Sequence, residues 1–413
     1  MKAGAVSHLG SQRLFHTKKE CIVIYLDHAA TTKPRPEVIR KMMDCLEQEY
    51  GNASANYQFA SVPRRILQEA RERIAASLSV QPEEIFFTSG GTESDNWAIR
   101  SAARERANRG RHIITSAIEH PAVLETMREL ERNGYEITWI LPDGTGAIQA
   151  SAVEAAVRRD TILISIMYAN NETGRIQPIR EIGDIARRHG VLFHTDAVQA
   201  YGQIPITASE DGFDLLSASG HKLYGPKGIG FLYIRSGTIT TPLLTGGGQE
   251  SGVRSGTENI PAIAGLSEAV ALGMEDLAER AGAEWKKKER FAECVRSRCP
   301  YIVENGGIGE RRDWLPGIWN FSFPGLSGEA MQVWLDMAGI CVSTGSACAS
   351  ASRKPSHVLL AMGVDQAQAD SSIRISIGRE TTEEELQETA WRIQETAEKL
   401  YRLTGADRNS GNF

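Results

Sequence analysis

Thr88-Ser-Gly-Gly-Thr92 ends a short β-rich run and opens a helical one. Two glycines let backbone approach a ligand closely, and amides at a helix start point at it, which suits a phosphate. A tight turn with Thr92 as helix N-cap would use the same residues. The spacing is not that of a Walker loop, and no G-x-G-x-x-G run opens a helix after a strand, which disfavours a dinucleotide fold. Lys222, among Ser219, Gly220, His221 and Gly225, could form a Schiff base if its surroundings lower its pKa, or be an ordinary surface lysine. Asp196 ends the apolar run Val191–His194, where a carboxylate needs a cationic partner. A protonated pyridine nitrogen would be one, as in pyridoxal phosphate enzymes, and a structural salt bridge another. His120, before Pro121, could stack on a planar group, move protons, or start a helix. Arg374, alternating with apolar residues in Ser371-Ser-Ile-Arg-Ile-Ser376, could clamp a carboxylate or sit in an internal ion pair. Cys348 lies in a run of small residues, Ser343 to Ser352, where an exposed thiol could swing and react.

These residues need a frame that brings them together. From Glu84 onward the sequence predicts strands at Ile85–Thr88, His112–Ser116, Glu136–Ile140, Ile162–Tyr168, Val191–Thr195, Asp214–Ser217 and Gly230–Ile234. Helical patterns fall at Ser94–Ala107, Pro121–Arg132, Ala152–Arg159 and Ile179–His189, so the reading is βαβ units in a largely parallel sheet with helices on both faces. One long helix is predicted from Pro261 to about Arg298, then a smaller α/β unit from Tyr301 that closes with a helix over Thr382–Leu403. Ligands of such sheets bind beyond the carboxyl ends of the strands. The polar clusters at Thr88–Thr92, His120, Asn170-Asn171, Asp196 and Ser219–Lys222 all follow strands, so one site is expected.

The chain has 413 residues, 46 Lys+Arg and 52 Asp+Glu, enough length for about two or three domains and no electrostatic case for nucleic acid or anionic membrane. No stretch reaches the roughly 18 apolar residues of a spanning helix. The six cysteines form no C-x-x-C pair, which argues against a disulfide framework or structural zinc and for reduced cytoplasm. The first 20 residues carry four cations, one acid (Glu20) and no apolar segment, so a loose leader is expected over residues 1–21 rather than a secretory signal, with a transit peptide as the weaker alternative.

The chain resembles the cysteine desulfurases, pyridoxal phosphate enzymes of the class V aminotransferase-like group. The resemblance runs from about Tyr25 to Arg392. It rests on Tyr25-Leu-Asp-His-Ala-Ala-Thr-Thr32, Phe87-Thr-Ser-Gly-Gly-Thr-Glu93, Glu119-His-Pro121, Asn170-Asn-Glu-Thr-Gly174 and His194-Thr-Asp-Ala-Val-Gln199, then Ser219-Gly-His-Lys222, Arg254-Ser-Gly-Thr-Glu-Asn259 and Gly345-Ser-Ala-Cys348. The longer cysteine loop, followed by Pro355-Ser-His-Val-Leu359, is similar to the branch that serves iron–sulfur assembly. The resemblance implies an α/β pyridoxal phosphate transferase fold (fold type I). A large, mostly parallel-sheet domain would span 35–275, and a smaller α/β domain, 22–34 plus 276–413, would carry the cysteine loop. It implies that Lys222 holds the cofactor covalently and moves protons at the substrate α-carbon. Asp196 pairs with the pyridine nitrogen, Gln199 bonds the ring hydroxyl, and His120 stacks on the ring and serves as acid/base. Gly91, Thr92, Ser219 and His221 bind the phosphate, joined by Thr257 from the second subunit of a homodimer. Asn171 and Arg374 hold the carboxylate of L-cysteine. Cys348 takes the sulfur as a persulfide, leaves L-alanine, and passes the sulfur to an acceptor or iron–sulfur scaffold protein, for cluster assembly or thiolation of a cofactor or tRNA. No resident metal site is implied, although Cys348 could transiently ligate a cluster through its persulfide.

Departures occur at Asn52-Ala-Ser-Ala-Asn-Tyr57, where the family has Asn-Pro-Ser-Ser-x-His, and at Ser251, where it has arginine. The chain stops at Phe413 without the longer acceptor-docking tail of scaffold-linked members. A class V aminotransferase or a cysteine/selenocysteine lyase would use the same fold, and neither would need Cys348. A non-catalytic cofactor-bound regulator would not need Lys222, Asp196 and Cys348 together.

Overall fold

The computed structural model describes residues 23–239, 241–306, 310–344 and 355–406. Cys348, Cys21 and the leader over 1–21 therefore lie outside the described residues.

The first half runs β1 (Ile24–Tyr25), α1 (Pro36–Gln48), α2 (Ser61–Leu78), β2 (Ile85–Thr88), α3 (Gly91–Glu105), β3 (His112–Ser116), α4 (Pro121–Arg132), β4 (Glu136–Ile140), α5 (Ala150–Ala156) and β5 (Thr161–Ser165). It continues through α6 (Ile179–His189), β6 (Leu192–Asp196), α7 (Ala208–Asp211), β7 (Leu215–Ser219), β8 (Gly230–Ile234), α8 (Ile260–Glu275) and α9 (Leu277–Arg298). Last come β9 (Val303–Glu304), β10 (Ile318–Ser322), α10 (Gly328–Met337), β11 (Ile340–Cys341), α11 (His357–Ala361), α12 (Gln366–Asp370), β12 (Ser372–Ser376) and α13 (Glu383–Thr404).

The main sheet has the order β2-β8-β7-β6-β5-β3-β4. Pairing is parallel from β7 through β4, while β8 runs antiparallel to both β2 and β7. Neighbouring residues on a strand serve opposite cores, as period-2 geometry demands. Ile114, Phe193, Leu216 and Phe231 pack with residues of α2, α6 and α8, whereas Ile113, Leu192, Leu215 and Leu232 pack with α3 and α4. Both faces are thus covered, which is why the central strands read as nearly continuous apolar runs. A further core joins Ile24 and Leu26 to α9, β10, α10, β12 and α13. There β10 pairs antiparallel with β12 and β9, and β1 pairs with β11.

Local sequence explains most boundaries. Pro121 opens α4 with His120 as N-cap, and Thr382 with Glu385 forms a capping box on α13. Two expectations need correction. The helix expected from Pro261 to Arg298 is two helices that meet at Asp276, whose φ −117° and ψ 13° leave the helical region. The Asp276 carboxylate there takes ion pairs from Arg280 and Arg379, contacts that a run of helix-forming residues does not reveal. The N-cap of α3 is Gly90 rather than Thr92. Gly90 sits at φ +146°, a conformation that suits glycine, which pushes the start of the helix one residue ahead of Thr92.

Candidate active site

Strand ends converge on one cavity of about 400 Å³, within the roughly 300–1,000 Å³ usual for small-molecule sites. Gly91, Thr92, His120, Asn171, Asp196, Gln199, Ser219, His221, Lys222 and Arg374 all line it. The sheet accounts for this: α3 follows β2, His120 follows β3, Asn171 follows β5, Asp196 ends β6, and Lys222 closes the turn after β7. Thr257 is exposed and is not among the lining residues.

At one end, α3 presents its first turn. A Cβ on Gly91 would stand 2.5 Å from Val198 Cγ2, so only glycine lets the helix start lie this close to the segment after Asp196. Thr92, Ser219 and His221 surround these amides, a donor set that fits a phosphate. Burial, helped by Lys222 and Lys227, pushes the His221 imidazole down to about 4, so it is neutral near pH 7.

At the other end, Asp196 is 6% exposed and accepts 2.9 Å from the Val198 amide. Burial raises its pKa, while His120, the Val198 N–H and Lys222 pull the other way. A cation against this carboxylate would relieve the burial cost, as a protonated ring nitrogen does. His120 is held by its own helix: its Nδ1 accepts from the Ala122 amide at 3.1 Å. Burial lowers its pKa, with Lys222 and His357 acting the same way and Asp196 opposing them. The neutral ring therefore presents Nε2 as its N–H.

Lys222 is strapped by the segment after β1. Its Nζ donates to Ala30 O at 2.8 Å and also to Ala29 O. Gln199 Nε2 donates to the same Ala29 carbonyl at 2.9 Å. Thr32 ties this segment to the turn, its amide and Oγ1 both donating to His221 O. The amine thus stands at the cavity wall, where an aldehyde could meet it.

Arg374 sits in an internal ion pair: Nη2 donates 2.8 Å to Asp27 Oδ1 and Nη1 3.0 Å to Asn171 O. Both sequence readings of this arginine survive, because its Nε has no partner among the described residues and the side chain still lines the cavity.

Other buried acids surround the site that the sequence reading missed. Asp95 lines the cavity one turn beyond Thr92, and burial first, then Asp196 and Glu119, holds its carboxyl well above its ordinary range. The helical spacing from Thr92 was the available signal. Glu119, beside His120, accepts from Ser116 Oγ at 2.5 Å and from the Met167 amide at 2.9 Å, and burial pushes it to about 8. His357 also lines the cavity, its Nε2 at 3.0 Å from Glu119 O. Among the described residues no cluster of three or more His, Cys, Asp or Glu could hold a metal ion, and no helix is long and apolar enough to cross a membrane.

An anion cradle, a buried carboxylate, a neutral histidine and a lysine at the wall fit pyridoxal phosphate. Comparison with known proteins agrees. The family described as Aminotransferase class-V matches residues 24–388. The chain is 44% identical over 363 residues to a cysteine desulfurase IscS of Clostridium botulinum (strain Hall), covering 88% of this chain and 91% of that one. A solved NifS-like protein superposes with TM-score 0.86 at 37% identity, covering 92% of this chain and all of the other. A structure titled SspA in complex with cysteine superposes with TM-score 0.77 at 38% identity, covering 86% and 98%. This chain belongs to the class-V aminotransferase family, in its cysteine desulfurase group.

Proposed function

We propose that the protein removes sulfur from L-cysteine, with pyridoxal phosphate in the cavity and Cys348 as the residue that receives the sulfur. The observation that carries this reading is the meeting of Lys222, Asp196 and the α3 amides at one cavity, and two described residues that flank the cysteine segment in sequence bond residues lining it. Ser343 pairs with Arg374 through both backbone hydrogen bonds, and Ser356 Oγ donates to Glu172. Residues 343 and 356 stand on either side of Cys348 in sequence, and both bond residues that line the cavity.

Bound pyridoxal phosphate supplies an electron sink for bonds at the substrate α-carbon. The protein's own groups do the rest. Lys222 Nζ holds the cofactor covalently and carries a proton to and from the α-carbon. Thr92, Ser219, His221 and the Gly91 and Thr92 amides hold the phosphate. Asp196 keeps its partner nitrogen protonated, and Gln199 and His120 set the ring. Asn171 and Arg374 orient the carboxylate of L-cysteine. The Cys348 thiolate attacks the substrate sulfur: an S–S bond forms, the C–S bond breaks, and carbon keeps the electron pair and takes a proton to give L-alanine. The persulfide then passes to a sulfur-acceptor or scaffold protein in the cytoplasm, for iron–sulfur cluster assembly or thiolation.

A homodimer completes the site in this reading. Ile39, Met43 and Leu46 lie exposed on one face of α1, continued by exposed Tyr50, Tyr57 and Phe59. Ser54 Oγ donates 3.0 Å to Glu258, which places this apolar strip beside Thr257. A second copy seated there would bring Thr257 to its partner's phosphate. The separation of the core around α9, β10 and α13 from the two cores on the main sheet also supports division into a large unit over 35–275 and a small one over 22–34 plus 276–413, although Leu315, Ile318, Val358 and Leu359 pack into one of the main-sheet cores.

Single turnover tests the reading. Holoenzyme and L-cysteine without reductant should yield alanine in equal amount to subunits, with a matching persulfide on Cys348. Pyruvate, or sulfide released while Cys348 stays unmodified, would sink it in favour of a lyase.

A further inference from the structure

Against Lys222 lies a second and smaller recess of about 30 Å³, lined by no residue of α3. A water needs about 10–15 Å³ measured this way, and two to four polar partners. Lys222, Ala29 and Gln199 line both this recess and the main cavity, so the lysine stands in the wall between them. The recess is also lined by His28, Gln203, Tyr224 and Glu284.

Two of these carry buried polar atoms with no hydrogen-bond partner among the described residues, Glu284 Oε1 and His28 Nδ1. Glu284 comes from α9 and is 3% exposed. A carboxylate oxygen left unpaired at such a site carries the full desolvation penalty of that group. Tyr224 Oη already accepts from the Arg379 amide at 2.8 Å, which turns its own proton elsewhere.

We propose that this recess holds an internal water bonded to Glu284 and His28, and that the water connects Glu284 to Lys222 as a proton store for the amine. The inference rests on the reading of Lys222 given above and extends it. When the Lys222 ammonium releases a proton, the water oxygen accepts it and gives one of its own protons to the Glu284 carboxylate. One N–H bond breaks, one O–H bond forms on the carboxyl, and the water is regenerated. The reverse transfer returns the proton. Glu284 and His28 are positioning residues, since they reach the reacting atoms only through Lys222.

The electrostatics are consistent with such a store. Burial raises Glu284 to about 7, against the opposing pull of Arg280 and Lys287 on its own helix. Across the recess the titratable groups are Lys222, His28 and Tyr224. Burial lowers the His28 imidazole, which keeps it a neutral acceptor or donor to water.

Three variants of the full-length holoenzyme test the proposal. Glu284→Gln should bind the cofactor and keep its fold, judged by circular dichroism. Titrated with pH in the absence of substrate, the visible absorbance of the wild type should show a transition near neutrality, and Glu284→Gln should lose or displace it. Its kcat should fall at least about tenfold with KM unchanged, the split expected when proton transfer is impaired. Glu284→Asp should restore part of the titration. An absorbance titration and pH–rate profile identical to wild type in Glu284→Gln would overturn the relay. Lys222→Ala separates the two claims: if it still holds cofactor covalently, the lysine reading itself is wrong. If it does not, a silent Glu284→Gln overturns the relay alone.

Discussion

Gly91 and Val198 are coupled by distance: a methyl on the glycine would meet the valine at 2.5 Å. Gly91→Ala should therefore destabilise by about 1–3 kcal/mol and weaken cofactor retention, because a side chain or the start of α3 must shift. Gly91→Ala with Val198→Ala should recover most of the loss, a coupling that a double-mutant cycle of melting temperatures would measure. Glu119 makes a second prediction. Burial raises its folded pKa to about 8, above the ordinary value, so the folded chain holds a proton that the unfolded chain releases. That contribution is full below the unfolded pKa and is lost as pH rises through the folded one. Glu119→Gln, which keeps the acceptor for Ser116 and Met167, should flatten the decline in stability between about pH 5 and 8, seen in urea melts at several pH values. An unchanged slope would show that Glu119 is not protonated near neutrality. Lys222, Asp196 and His120 were legible in the sequence because each interrupts a local pattern at a strand end. Glu284 was not, nor was the pairing of Arg374 with Asp27: the two lie 347 positions apart, and no local pattern says which acid meets the arginine.

The short helix α11 follows the cysteine segment in sequence, and Ser356 does two jobs there. Its Oγ accepts from the Leu359 amide at 3.1 Å as the N-cap and donates to buried Glu172. Ser356→Ala should cost about 1 kcal/mol for the cap, with more for the carboxylate left without its donor. Glu172 lies next to Asn171, so the rate of persulfide formation should fall more than cofactor affinity, a difference that rapid-quench alanine measurements can read. Equal losses in both would assign Ser356 to stability alone. Strand and helix assignments from β2 to β8 followed the sequence closely, since the central strands are buried along their whole length and Pro121 and Gly190 mark helix ends. The break at Asp276 was hidden because both flanking segments are good helix formers, and the kink is held by arginines from α9 and from beyond β12.

Across the whole molecule, the apolar strip on α1 and the exposed Thr257 predict that activity needs two chains. Met43→Glu should shift the protein to monomer in sedimentation and release cofactor. Co-expressed Lys222→Ala and Thr257→Ala chains should regain activity absent from either alone, because one site of the mixed dimer has both residues. Failure of the mixed dimer, once its formation is verified, would assign Thr257 to its own subunit or to no site. The sequence by itself determined the alternating frame, the family and the order of the polar clusters, because strand period, capping residues and glycine turns act over a few positions. Only the tertiary structure decided that Asp27 neutralises Arg374, that Ala29 and Ala30 strap Lys222, and that α9 sends Glu284 to a recess against the same lysine. Those contacts join residues more than 60 positions apart, and burial, which sets the cost of each unpaired charge, exists only once the elements have packed.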